Sequence, residues 1–312
     1  MQKIAIAIHG GAGTIIRKNM TPEKEAPYNE ALKAAVLLGY NVLKKSGSSL
    51  DAVETAVAAL EDCPLFNAGK GSVFNNKGGH EMDASIMEGS ALKAGAVSLV
   101  TNIKNPVKLA RAIMEKSEHV FMAGSGAEEF ARLHQLEFCD DDYLFNEFRF
   151  QQWNEVREQE GFHLDHSVEV KKDDKKFGTV GAVALDANGI LAAATSTGGM
   201  TNKKFGRIGD SPIIGAGTYA NHLCAISCTG HGELFIRSVV AYDIACLMQY
   251  KGLSLRDACR EVVMEKLVRI GGEGGLIAID REGNIELPFN SEGMYRASVD
   301  VNGKVEVLIY KD

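Results

Sequence analysis

Residues 175–199 read KKFGTVGAVALDANGILAAATSTGG, and a Gly-Thr pair, Gly178-Thr179, stands where a charged stretch gives way to an apolar strand pattern. A threonine hydroxyl is a poor nucleophile unless a base stands beside it. Cutting the chain before Thr179 would supply that base, because the new α-amino group has a reference pKa of about 8, well below that of lysine. Thr179 would then carry nucleophile and base together. Gly178 removes side-chain bulk at the carbonyl to be attacked and tolerates a strained backbone. An isolated Gly-Thr pair more often marks the plain start of a strand, so the reading depends on what else the chain places nearby.

Three further stretches supply the missing parts. Thr195, Ser196 and Thr197, followed by Gly198-Gly199, end the strand that returns beside Thr179, and their hydroxyls could orient the nucleophile or its amine. Cys228-Thr229-Gly230-His231-Gly232-Glu233 ends another strand at a helix start, where backbone N–H groups suit an oxyanion. GRIGDSP sets Arg207 and Asp210 three residues apart in one loop. A guanidinium can grip a carboxylate and a carboxylate an ammonium, the two charges of an amino-acid headgroup.

Other chemistries fail on spacing. The chain holds 33 glycines, yet the GxGxxG pattern breaks at Ile16 after Gly11 and Gly13, at Phe74 after Gly69 and Gly71, and at Phe235 after Gly230 and Gly232. GxxxxGK fails because Pro64 stands where the first glycine before Gly69-Lys70 belongs. HGGAG near the start is like an esterase oxyanion loop, but no GxSxG elbow accompanies it; Ala123-Gly124-Ser125-Gly126 lacks the first glycine. The eight histidines show no paired metal spacing, and His9 and His231 read as structural hydrogen-bonding residues in glycine-rich loops.

The supporting elements follow from periodicity. Ile4 to Ile8 reads as a buried strand running into HGGAG. Helical spacing runs from Glu25 to about Lys45, and Ser48 caps a second helix ended by Pro64. MDASIME and AGAVSLVT read as paired strands, Asn105-Pro106 as a helix start, and Asn188-Gly189 as the turn of a hairpin formed by GTVGAVALD and GILAAATST. LCAISCTG reads as a strand, ELFIRSVVAYDIACLMQY and SLRDACREVVMEKLVRI as amphipathic helices, and GLIAID with IELPF as a last hairpin. Residues about 155–177, dense in charge, read as an exposed mobile linker. Strands grouped in hairpins and helices grouped between them predict an α+β fold of antiparallel sheets inside helical layers.

Bulk properties agree with a soluble globular protein. The 312 residues are 45% hydrophobic and 24% charged. The net charge of −7, with no basic patch interleaved with aromatics, argues against nucleic acid as a partner. Six scattered cysteines without a CxxC pair suit a reducing cytoplasm, and no apolar run is long enough for a membrane span.

HGGAG, CPLFNAGKGSVF, MDAS, LKAGAV, GTVGAVALD, AATSTGGMTNK, GRIGDSP, CTGHGE and FNSEGMYRA, in this order and over nearly the whole chain, together resemble the plant-type asparaginases and isoaspartyl peptidases of the N-terminal-nucleophile hydrolases. The resemblance implies one domain of four layers, an αββα sandwich, cleaved into an α part, residues 1–178, and a β part, residues 179–312, that associate as (αβ)2. It implies Thr179 as nucleophile with Thr197 beside it, Thr229 and Gly230 as oxyanion hole, and Asn67 close by. Arg207 would hold the substrate α-carboxylate, Asp210 its α-ammonium, and Gly232 a backbone contact. No catalytic cofactor is implied, but a structural sodium is, on the backbone carbonyls of Leu60, Glu61, Cys63, Phe66, Ala68 and Lys70. The implied substrates are L-asparagine and β-aspartyl dipeptides. An aspartylglucosaminidase would more often carry Asp-Thr at the junction and a secretory leader; an uncleaved binding protein would have no use for the full set of hydroxyl and headgroup residues.

Overall fold

The computed structural model describes residues 3–163 and 178–311. Its strands are β1 (Ala5–Gly13), β2 (Met82–Glu88), β3 (Lys93–Val100), β4 (Phe121–Ala123), β5 (Val180–Leu185) and β6 (Leu191–Thr197). They continue with β7 (Thr218–Ala220), β8 (Cys224–Gly230), β9 (Gly274–Asp280), β10 (Ile285–Glu286), β11 (Gly293–Val299) and β12 (Val305–Tyr310). They form an eight-stranded sheet, β12-β11-β1-β5-β6-β2-β3-β4, and a four-stranded sheet, β10-β9-β8-β7.

Alternation along the strands builds the layers. Ile6 and Ile8 of β1, Val180 and Ala182 of β5 and Ala192 and Ala194 of β6 pack against the helices Pro22–Lys44, Ser49–Glu61 and Pro106–Lys116. The intervening Ala5, Ala7, Val183 and Ala193 meet Ala225, Ile277 and Ile279 of the small sheet. Cys224, Ile226 and Cys228, on the far face of β8, pack with Val240, Ile244 and Ala258 from the outer helices. The result is the αββα sandwich. At each central strand both faces are buried, which is why these strands read as continuous apolar runs.

The expected hairpins are present. β5 pairs with β6 from Val180↔Ser196 to Leu185↔Leu191, and Gly189 in the turn has φ 77°. Ser48 caps its helix by accepting from Asp51 N at 3.1 Å. Three expectations need correction. One pair, β3 with β4, is parallel, because the helix Pro106–Lys116 carries the chain back to start again in the same direction. The helix expected over ELFIRSVVAYDIACLMQY is two, Gly232–Ser238 and Val240–Lys251, parted at Val239, which has φ 48°. The charged stretch expected to be a linker from about residue 155 is helical as far as His163, in Glu147–His163; its remainder, 164–177, lies outside the described residues. The C-terminal KVEVLIY stretch provides β12, which pairs with β11 at the sheet edge.

Candidate active site

β1, β5 and β6 present their inner faces to β8, and the alternation that builds the core also sorts the hydroxyls. Val180 faces the helices, so Thr179 faces the small sheet; Ala192 and Ala194 face the helices, so Thr195 and Thr197 face inward with it. Thr179 is buried, 7% exposed, and its Oγ1 donates to Thr197 Oγ1 at 3.2 Å. Ser196, by the same parity, points outward and donates to Glu61 Oε1 at 2.6 Å, so it does not join Thr179. Burial pushes the Glu61 carboxyl up to about 8, against the pull of the Ser196 and Val107 hydrogen bonds, and it stays protonated at neutral pH.

The Gly178 carbonyl is held from two sides. Asn67 Nδ2 donates to it at 2.8 Å and Thr197 Oγ1 at 3.0 Å. Asn67 is itself fixed, with Nδ2 also on Gly199 O at 2.7 Å and Oδ1 accepting from Val73 N at 3.0 Å. Two preset donors on a carbonyl adjacent to a hydroxyl are what an acyl transfer at that carbonyl requires.

His9, which the sequence marked only as a hydrogen-bonding residue, holds Thr179 from behind. Its Nδ1–H donates to Thr179 O at 3.0 Å, and Nε2 accepts from Ser227 Oγ at 2.9 Å. Burial lowers its pKa to about 3, so the ring is neutral and this tautomer fits both bonds. Ser227 Oγ lies 2.7 Å from Thr195 Oγ1, which accepts from Thr218 Oγ1, and Ser85 Oγ donates to Thr218 Oγ1 at 2.7 Å. This buried hydroxyl chain locks the two sheets together. Gly181 makes it possible: a Cβ there would collide with Ser227 Oγ and stand 2.5 Å from His9 Nε2. Two residues beyond Ser227, on the same face, Thr229 Oγ1 accepts from Ala12 N at 3.2 Å, which leaves its own proton to donate. The His231 N–H, by contrast, is engaged by Glu273 O at 3.0 Å.

Gly178, Thr179, Thr197, Arg207, Asp210 and Gly230 line one small cleft. Its cavity measures about 10 Å³, at the limit for a single water. Arg207 donates bidentately to Glu233, Nε to Oε1 and Nη2 to Oε2, both at 2.8 Å. Nη1 lies beside Gly209, where a Cβ would stand 3.0 Å from it. Glu233, held below the usual carboxylate range first by this hydrogen bond, also has His231 Nε2 at 3.3 Å. Gly232 leaves Arg207 and Asp210 uncovered, since a Cβ would stand 2.9 Å from Arg207 Nη2 and 3.0 Å from Asp210 Oδ1. Asp210 is 4% exposed and its Oδ2 has no partner among the described residues. Burial drives its pKa up to about 7, its own backbone N–H and then Arg207 opposing.

Two supporting residues had no signal in the sequence. Glu233 stands 26 residues from Arg207 and finds it only through the fold. Lys203, its side chain 1% exposed, donates to Glu81 O at 2.6 Å, lies 3.9 Å from Asp83 Oδ2 and braces the Gly199 turn.

The loop after the helix Ser49–Glu61 turns its carbonyls inward. Glu61 O crowds the space where Gly69 would carry a Cβ, while Phe66 O and Pro64 O converge at Gly71. Pro64 O accepts from Asn146 Nδ2 at 3.0 Å and Phe66 O from Ala68 N at 2.9 Å, and backbone carbonyl oxygens are the kind of donor a hard cation takes. Among the described residues no group of three or more His, Cys, Asp or Glu side chains could hold a metal ion.

A family model described as Asparaginase matches residues 2–309. The isoaspartyl peptidase of Escherichia coli (strain K12) is 56% identical over 298 residues, covering 95% of this chain and 93% of its own. The isoaspartyl peptidase/L-asparaginase of Rattus norvegicus is 43% identical over 307 residues, covering 98% of this chain and 89% of its own. The plant-type L-asparaginase of Thermococcus kodakarensis is 42% identical over 298 residues, covering 93% and 94%.

Proposed function

The chain belongs to this asparaginase family, and from that premise we propose that it is a self-cleaving threonine hydrolase acting on β-aspartyl dipeptides and L-asparagine. The observation that carries the reading is the junction: a buried threonine hydroxyl next to a glycine carbonyl already held by Asn67 and Thr197.

Self-cleavage would begin with Thr179 Oγ attacking the Gly178 carbonyl carbon. Asn67 Nδ2 and the Thr197 hydroxyl carry the oxyanion, the Gly178–Thr179 C–N bond breaks, and the proton passes to the freed amine. Water then hydrolyses the Gly178 ester. The Thr179 amine that serves as base forms only on cleavage, so activity would follow cleavage. In hydrolysis Thr179 Oγ attacks the side-chain amide carbon of the substrate. The Thr179 amine takes the hydroxyl proton and gives it to the departing ammonia or amino acid, and water releases aspartate from the ester. Thr229 Oγ1 and Gly230 serve the second oxyanion, Arg207 the α-carboxylate, and Asp210 the α-ammonium.

Replacing Asn67 by alanine is expected to slow self-cleavage about 100-fold, the scale of losing one oxyanion donor. A time course of intact masses reads this directly, and maturation at the wild-type rate would remove Asn67 from the step.

The loop of Leu60, Glu61, Cys63, Phe66, Ala68 and Lys70 would hold sodium, which supplies no chemistry beyond fixing the segment that carries Asn67. Sodium in place of a large organic cation should raise the Tm in a concentration-dependent way, the stability gained by mass action being about 2.7 kcal/mol at 100-fold excess over Kd. An unchanged Tm would argue against the site. The cleaved chains would associate as (αβ)2, with exposed Val239 and Tyr242 on the outer helices available to a second copy. The free cysteines among the described residues suit a reducing cytoplasm, and no described helix is long and apolar enough to cross a membrane.

A further inference from the structure

A second, larger cavity of about 510 Å³ meets the small cleft at Gly178, which lines both. Asn67 lines only the larger one and Arg207 and Asp210 only the smaller. The acyl half of a substrate is therefore accounted for on one side of the junction, and the larger cavity lies on the side left for the group that departs. Its walls are apolar and aromatic: Ile15, Leu65, Phe66, and Tyr28 stacked on Tyr295 with ring centroids 4.5 Å apart. Two cations, Lys24 and Arg149, line it, and among the described residues no Asp or Glu does.

Arg149 is the unusual member. Its guanidinium donates from Nε to Gly71 O at 3.1 Å, from Nη1 to Gln152 Oε1 at 3.1 Å, and from Nη2 to Leu65 O at 3.4 Å. It also lies 5.6 Å from the Phe148 ring centroid. All three acceptors are neutral, and among the described residues no carboxylate pairs with it. Burial lowers its pKa. A guanidinium has five N–H donors, so one hydrogen on each Nη remains for a ligand, and a carboxylate is the partner a guanidinium binds most strongly.

We propose that this cavity is the leaving-group subsite, and that Arg149 binds the free C-terminal carboxylate of a β-aspartyl dipeptide whose second residue is large and apolar. The inference rests on the hydrolase reading above and deepens it. A volume of about 510 Å³ lies within the usual range for small-ligand sites. L-asparagine, whose leaving group is ammonia, would leave this subsite unused.

The test compares β-aspartyl-leucine with its C-terminal amide, which differ only in the charge offered to Arg149. The wild-type enzyme should hydrolyse the acid with kcat/KM at least about tenfold above the amide, the scale of one charge-assisted pair. In Arg149→Met, checked by intact mass to be fully cleaved, that ratio should collapse toward one. Because general damage to the fold lowers both substrates together, the ratio isolates the carboxylate contact. Should Arg149→Met fail to fold, the wild-type ratio still decides. Equal rates on acid and amide in the wild type, or a ratio that persists in cleaved Arg149→Met, overturns this subsite while leaving the hydrolase reading intact. A matured chain that hydrolyses neither β-aspartyl-leucine nor L-asparagine overturns both.

Discussion

Thr179→Ala is expected to give a stable chain that never divides and hydrolyses nothing. The substitution removes one hydroxyl and its hydrogen bond to Thr197 Oγ1, but leaves the contacts that fix the strand. His9 holds residue 179 through its backbone carbonyl, and Val180 to Leu185 keep their pairing with β6. The protein should therefore fold with a Tm close to that of the uncleaved wild type. The loss of hydrolysis should be on the order of 10⁶-fold, the scale of deleting a covalent nucleophile. Two functions vanish together because one atom, Thr179 Oγ1, serves both attacks. Intact mass and an ammonia-release assay measure the outcome; a cleaved or active alanine variant would place the nucleophile elsewhere.

Asp210→Asn should separate those two functions. The Gly178 carbonyl is held by Asn67 and Thr197 and not by Asp210, so self-cleavage should continue. Hydrolysis should fall roughly 100- to 1,000-fold in kcat/KM, because the asparagine side chain offers the substrate ammonium no charge. The pH profile sharpens the prediction. Burial raises the Asp210 carboxyl to about 7 in the free site, so it is protonated below that pH and ionised above it. The grip on the ammonium is therefore lost as pH falls through about 7, and kcat/KM of the wild type should drop on that limb. His9 stays neutral across the same range and does not supply the limb, whereas the Thr179 α-amino group, with a reference pKa of about 8, gives a limb of its own that remains in the variant. In Asp210→Asn the contribution near 7 should disappear and leave only that of the amine; a profile of unchanged position would assign the limb to another residue.

How much of this was legible beforehand differs from part to part. The Gly178-Thr179 junction, the Arg207–Asp210 loop and the Asn188-Gly189 hairpin could all be read because each lies within a few residues of chain. Antiparallel sheets inside helical layers followed from strands grouped in hairpins with helices between them, while the four layers were implied by the family resemblance. What the sequence concealed depends on contacts between distant strands. Parity separated Ser196 from Thr195 and Thr197, a distinction that three consecutive hydroxyl residues cannot display. The roles of His9 and Ser227 required β1 and β8 to face one another across Gly181. Glu233 and Lys203 were invisible as partners of the site because 26 and 122 residues separate them from Arg207 and Glu81. The parallel edge strand β4 is three residues long, too short to show a period of its own.

The most direct test of the central claim is the intact mass of freshly purified wild-type protein, followed over several days at neutral pH. The predicted result is progressive replacement of the 312-residue mass by two fragments, one ending at Gly178 and one beginning with Thr179, with hydrolytic activity rising in step. A single undivided mass, or fragments cut at any other bond, would leave Thr179 without its α-amino base and contradict the mechanism.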